Sequence, residues 1–378
     1  MRRFGGLEGL RAWLAWTVVF GHILSYTGLG QLLPWLAKPM GQLADGAVMV
    51  FTILSGFVVT HLLLERREPY RRYITRRFLR IYPVYAVALL AGIGGTYLAF
   101  DTFLSHPWGE LTPATHRLLM QSDSLASGDW PWHLAAHLSM LHGAVSSQVL
   151  YESQYMFLGP AWSLSLEWQF YLVAPLAVAL ATHRVGQVAL AALAIWGYRL
   201  YTKGVFGEFM LPSVLPGAAL YFGVGMSTRF WLRADAGLSA FPLAWLVLAS
   251  GLLMSAAGTN PILAWAAFVC MMLLNKSASD HVSQGARWAF AKAFNSTIAH
   301  WLGERSYATY LIHMPILQLV TWVCVTQFGM GLVPTAWAAV LVAVPATLVA
   351  SALLHTHVEL PAIARGRRTS PPATAATC

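Results

Sequence analysis

The chain has 378 residues, 57 % of them hydrophobic and only 10 % charged, with a mean hydropathy of +0.57. That usage excludes an ordinary soluble domain and a disordered chain, and points to a membrane protein. The net charge of +9 could serve nucleic acid, but the positive residues gather between apolar runs, which is how a membrane protein encodes its topology; no nucleic-acid partner is expected.

Apolar runs near the ~20 residues that cross a bilayer give about ten predicted spans, at approximately 8–31, 46–64, 79–100, 157–181, 187–202, 211–231, 240–257, 259–275, 299–327 and 333–358. The expected fold is all-α, a polytopic membrane protein with about ten transmembrane helices and cytoplasmic N- and C-termini. In that orientation all of the 24 Lys and Arg except Lys38, Arg117, Arg199 and Lys203 fall on the inner side, as the positive-inside rule requires. Residues 1–364 read as one membrane domain, and 365–378 as a short, disordered, basic cytoplasmic tail. The first run carries Arg11 and lacks a small-residue cleavage site, so it is expected to stay as a helix.

Within the first span, Arg11 and His22 are eleven residues apart. At ~100° and ~1.5 Å per residue they share one face, about 16 Å apart along the axis. Ionisable groups at that depth are costly and mark a functional site, unless they only snorkel or bond a neighbouring helix. Residues 65–80 follow the second span and hold seven arginines: Arg66, Arg67, Arg71, Arg72, Arg76, Arg77 and Arg80. Pro69 interrupts the helical register there, and beyond it Arg76 and Arg80 sit at i,i+4 and Arg77 and Arg80 at i,i+3. Guanidinium forks suit phosphate, so Arg77 and Arg80 read as a polyphosphate site, against the plainer reading of charge at an anionic lipid surface.

The long loop at roughly 101–156 is rich in His and Trp, including His106, Trp108, His116, Trp130, Trp132, His133, His137 and His142. Aromatic faces suit a sugar acceptor or the interfacial belt. His133 and His137 are at i,i+4 but no Glu or Cys partner accompanies them, so no metal site is expected. In the fourth span, Trp162-Ser163-Leu164-Ser165-Leu166-Glu167-Trp168 puts a carboxylate at depth, where it needs a His or Arg partner or stays neutral. The ninth span carries Ser306, Tyr310 and His313 at i, i+4, i+7, a polar stripe with Tyr307 beside it. Cys270, Cys324 and Cys378 are too scattered for a disulfide framework or a thiolate metal site.

The order Leu7-Glu8-Gly9-Leu10-Arg11 to His22, then Phe51-Thr52-Ile53-Leu54-Ser55-Gly56-Phe57, Arg76-Arg77 to Arg80-Ile81-Tyr82-Pro83, Trp162-Ser163-Leu164-Ser165-Leu166-Glu167, and Ser306-Tyr307 to Tyr310-Leu311-Ile312-His313 resembles the type-three acyltransferase family over nearly the whole chain. Glu359-Leu360-Pro361 is similar to its closing element. The family commonly has Asp in place of Glu8, and Gly and a paired Phe where this chain has Ala47 and Phe51-Thr52. The resemblance implies a bacterial inner-membrane enzyme that transfers an acyl group, acetyl in the simplest case, from cytoplasmic acetyl-CoA or another acyl-CoA to a hydroxyl of an extracytoplasmic carbohydrate or glycolipid. It implies catalytic roles for His22 and Glu167, donor binding by Arg11, Arg77 and Arg80, and substrate binding by Ser55, Trp162, Ser163, Tyr307, Tyr310 and His313. No separate domain is expected after the last span, so a second transfer step would fall to another protein. The alternative is a proton-coupled transporter or flippase with His22, Glu167 and His313 as a relay. Internal repeats and matched broken helices, which would favour it, are not evident.

Overall fold

The structure, a computed structural model, describes residues 4–66, 68–105, 113–232, 260–274 and 281–368. The seventh predicted span, with Arg67, His106, Trp108 and Cys378, lies outside those residues, as does the side chain of His116. Every described element is helical: α1 (Leu7–Tyr26), α2 (Pro34–Glu65), α3 (Tyr70–Phe100), α4 (Pro113–Ser124), α5 (Trp130–Leu138), α6 (Trp162–Ala181), α7 (Arg184–Thr202), α8 (Leu215–Trp231), α9 (Pro261–Leu274), α10 (His281–Phe294), α11 (Thr297–Glu304), α12 (Ser306–Trp322) and α13 (Leu332–Arg368), the last interrupted by two π-turns.

Among the described residues, five helices are long and apolar enough to cross a membrane, namely Pro34–Glu65, Tyr70–Leu104, Gly159–Ala181, Ser306–Gln327 and Leu332–Arg368. They overlap predicted spans, although Pro34–Glu65 begins well before the expected 46 and Tyr70–Leu104 before the expected 79; two further boundaries shift for local reasons. The first span was expected to reach residue 31. Its helix stops at Tyr26, where Thr27 turns its hydroxyl onto the Ile23 carbonyl at 2.6 Å and Gly28 takes φ 74°, a left-handed conformation that glycine adopts without a Cβ penalty. The ninth span divides at Arg305, which caps α11 before Ser306 opens α12. At the other end of the chain, α13 keeps Arg365, Arg367 and Arg368 helical, beyond the expected start of the tail.

The 101–156 stretch is not one loop. It contains α4 and α5, and α5 folds back so that the Tyr85 hydroxyl of α3 donates to the His137 carbonyl at 2.9 Å. Pro69, with extended ψ of 147°, caps the start of α3, so the helix register restarts there as expected and carries Arg71 to Arg80 into the bundle on a single helix. α1 packs against α2, α11 and α12, α3 packs against α12 and the end of α13, and α6 packs against α2. α2 packs closely on α8, where Gly56 faces the Phe222 backbone and Gly225 the Ile53 backbone, and a Cβ at either would collide. The buried faces of α1, α2, α3, α6 and α12 share one apolar core, and polar residues on those faces enclose the site.

Candidate active site

A cavity of about 770 Å³ opens between α1, α2, α3, α6, α12 and α13. Eight of the eleven predicted site residues line it: Arg11, Ser55, Arg77, Arg80, Ser163, Glu167, Tyr307 and Tyr310. The apolar periodicity of each helix sets this convergence. Burying the hydrophobic stripe turns the polar residue within that stripe toward the same centre.

Charge is unevenly satisfied around the cavity. Glu8 holds Arg11 at 2.9 Å, and Glu304 lies 3.6 Å from Arg305. Glu359, 2 % exposed, is held by His355 at 2.8 Å. Glu167 accepts from Ser55 at 2.8 Å and from Tyr171, one turn along α6, at 2.5 Å. Arg77 and Arg80 remain, beside Arg367, which is exposed. Neither Arg77 nor Arg80 has a hydrogen bond or ion pair among the described residues. The Arg77 Nε is buried without a partner, while its guanidinium rests over the Tyr171 ring at 5.5 Å. Their neighbour Arg76 is engaged by Glu68 at 2.9 Å and does not line the cavity. Two guanidinium groups without a bound carboxylate facing the cavity form a ready site for an anion, and the buried Arg77 Nε is a costly unmet donor until a charged acceptor arrives.

The far wall is made by α6 and α12. Tyr310 donates to the Pro160 carbonyl at 3.0 Å and shares a 2.8 Å hydrogen bond with Ser163. Tyr307 reaches the Ile81 carbonyl at 2.6 Å and ties α12 to α3. Behind Tyr310, with ring centroids 6.2 Å apart, stands His313. His313 Nε2 is 2.8 Å from His22 Nδ1. Helix α1 therefore presents Arg11 to the cavity and His22 to the layer behind it. His22 is thus partnered by His313, while Glu167 is taken by Ser55 and Tyr171 rather than by a His or Arg. Trp162, 6 % exposed, is buried and does not line the cavity. Residues outside the sequence reading of the site include Tyr171, Arg305, His355, Glu359 and Arg367, although the i,i+4 spacings of Glu167 with Tyr171 and of His355 with Glu359 are visible in the sequence.

The histidines between α3 and α6 are interior rather than a sugar platform. His133, His137 and His142 are each 0 % exposed, and the His137 and His142 rings stack 4.1 Å apart. Burial pushes His133 and His137 down to about 4 and His142 well below its ordinary range, with the neighbouring His137 adding to the shift at His142. An imidazole in the unfolded chain accepts a proton below about 6.5, so between that pH and about 4 the unfolded state binds more protons. Stability is full above that window and falls as the pH drops through it. Thermal unfolding in detergent is expected at a clearly lower temperature at acid pH than at neutral pH, and less so for His137→Asn, whose amide still donates to the His133 carbonyl. An undiminished acid shift in that variant would place the titrating group elsewhere.

Comparison with known proteins identifies the family of the chain. A family described as an acyltransferase domain matches residues 4–356. A peptidoglycan O-acetyltransferase of Listeria monocytogenes is 25 % identical over 94 % of this chain and 55 % of its own length. An acyltransferase of Streptomyces mycarofaciens is 27 % identical over 99 % of this chain and 95 % of its own. A putative O-acetyltransferase of Staphylococcus aureus is 23 % identical over 85 % of this chain and 52 % of its own length. The chain thus spans about half the length of the Listeria and Staphylococcus relatives. No solved structure matches the chain.

Proposed function

Because the chain belongs to the type-three acyltransferase family, we propose that it moves an acyl group, acetyl in the simplest case, from acyl-CoA in the central cavity to a hydroxyl of a carbohydrate or glycolipid, with His22 as the catalytic residue. The observation that carries the donor assignment is the unpaired state of Arg77 and Arg80 on one wall of the cavity. The diphosphate and 3′-phosphate of CoA supply the charge these groups lack, and Arg11, already oriented by Glu8, completes the cluster. About 16 Å of helix separates the positions of Arg11 and His22, comparable with an extended pantetheine arm. Phosphates at the arginines therefore put the thioester near the Ser163, Tyr310 and His22 end.

The chemistry balances with one imidazole. As general base, His22 takes the acceptor hydroxyl proton while the oxygen attacks the thioester carbonyl; collapse expels the CoA thiolate, which recovers the proton and leaves as CoA. As nucleophile, the same nitrogen first takes the acyl group and then yields it to the acceptor oxygen, with the same net balance. Hydroxyls of Ser163 and Tyr310, which share the Pro160 carbonyl as acceptor, hold the oxyanion once they turn from that carbonyl to the reacting centre. Glu167, kept in place by Ser55 and Tyr171 on the cavity wall, orients the acceptor or the thioester end of the donor. The 20 inner and 4 outer Lys and Arg that ten spans with cytoplasmic termini would give support a reading with the arginine cluster on the inner side and the acceptor on the outer side.

Mass spectrometry of surface glycans from cells with and without the protein tests the reading. An acyl mass increment on a glycan, present only with the protein, is expected. Identical glycans in both would contradict it.

A further inference from the structure

The hydrogen bond between His22 and His313 has a direction that the structure lets one read. His313 Nδ1 lies 3.1 Å from the Thr309 carbonyl oxygen, one turn back on α12. A carbonyl only accepts, so that nitrogen carries a proton. In a neutral imidazole the other nitrogen is then an acceptor, and His313 Nε2 is the atom 2.8 Å from His22 Nδ1. His22 must donate. The two ring planes are 11° apart with centroids separated by 5.1 Å, the arrangement of rings meeting edge to edge in nearly one plane, as such a bond requires. The reverse polarity would need both nitrogens of His313 protonated. That would make a cation of a side chain 2 % exposed with no carboxylate in hydrogen-bond contact, which is costly.

We infer that His313 is a positioning residue that holds His22 in the Nδ1–H tautomer and so leaves Nε2, which has no hydrogen-bond partner among the described residues, as the reactive nitrogen. The chain Thr309 carbonyl, His313, His22 does for this imidazole what a carboxylate does in a hydrolase triad: it selects the tautomer and the ring orientation. It also steadies the ring when Nε2 takes the acceptor's proton, because Nδ1–H keeps its acceptor throughout. The proton then passes from Nε2 to the departing thiolate and the pair returns to its starting state. The inference rests on His22 being the catalytic residue, and it replaces the substrate-contact role expected for His313.

Two substitutions separate positioning from bulk. His313→Gln places an amide oxygen near the lost Nε2, so it can still accept from His22, whereas His313→Phe keeps the ring and removes the acceptor. In acyl transfer by purified protein, His313→Phe is expected to lower kcat about 100-fold with KM for acetyl-CoA changed less than about twofold, and His313→Gln to recover to within about tenfold of the unsubstituted protein. Equal kcat losses in both variants, or a loss shared between kcat and KM, would overturn the inference. So would full activity of His313→Phe. The same assay on His22→Ala keeps the two claims apart: activity there removes the catalytic assignment itself, whereas an inactive His22→Ala beside an active His313→Phe removes only the role of His313.

Discussion

His22→Ala is expected to insert and fold, yet transfer no measurable acyl group. Loss of a general base costs about 10²–10⁴ in rate, and loss of a nucleophile removes the route altogether. The structural cost is smaller. His22 is only partly buried, and its removal leaves one buried acceptor, His313 Nε2, unpaired at about 1–3 kcal/mol. His22→Asn controls for that cost, since its amide nitrogen lies near the position of Nδ1 and donates to His313 while nothing replaces Nε2. Both variants should elute as monodisperse protein on size-exclusion chromatography and both should be inactive with radiolabelled acetyl-CoA. Turnover by His22→Asn at the level of the unsubstituted protein would remove His22 from the chemistry.

The second large effect concerns the donor. Arg80→Ala and Arg77→Ala should each weaken acetyl-CoA binding by about 1.5–3 kcal/mol per lost charge-assisted hydrogen bond, roughly 10- to 100-fold in Kd. Arg80→Lys should recover only part of the loss, because a point charge does not reproduce a bidentate fork. Arg76→Ala is the internal control: its guanidinium already serves Glu68, so the variant should lose stability rather than donor affinity. Titration calorimetry of the detergent-solubilised protein reads all four. Equal affinities in Arg76→Ala, Arg77→Ala and Arg80→Ala would return the whole cluster to a role in topology.

How far the sequence foretells this site depends on whether a feature is local. Arg77 and Arg80 could be assigned to one helix face because Pro69 marks where the register restarts, and Ser306, Tyr310 and His313 could be read as a stripe because all three lie on one uninterrupted helix. Long apolar runs likewise announce the five long helices. Pairings across the bundle are a different matter. His22 and His313 are 291 residues apart, and nothing in either helix says which imidazole meets which carboxylate or imidazole; Glu167, the reasonable partner by depth, is claimed by Ser55 and Tyr171. The break at Thr27 and Gly28 was masked by apolar residues continuing beyond it, and the Arg305 boundary by its position within an apolar run. Between α3 and α6, histidines that resembled an interfacial belt turn inward, because α5 folds back onto Tyr85 and Phe157, while Trp132 stays exposed. That packing is tertiary and leaves no periodic trace.

Sidedness is the most direct test of the account, since it joins the arginine cluster, the cavity and His22 in one readout. The protein is reconstituted in sealed vesicles of known orientation, with acetyl-CoA supplied only on the side of the arginine cluster and a carbohydrate acceptor only on the other. Acetylated acceptor is expected on the far side, with free CoA accumulating where the donor was supplied. Intact acetyl-CoA crossing the membrane, or acetylation only when donor and acceptor share a side, would contradict transfer through the bundle.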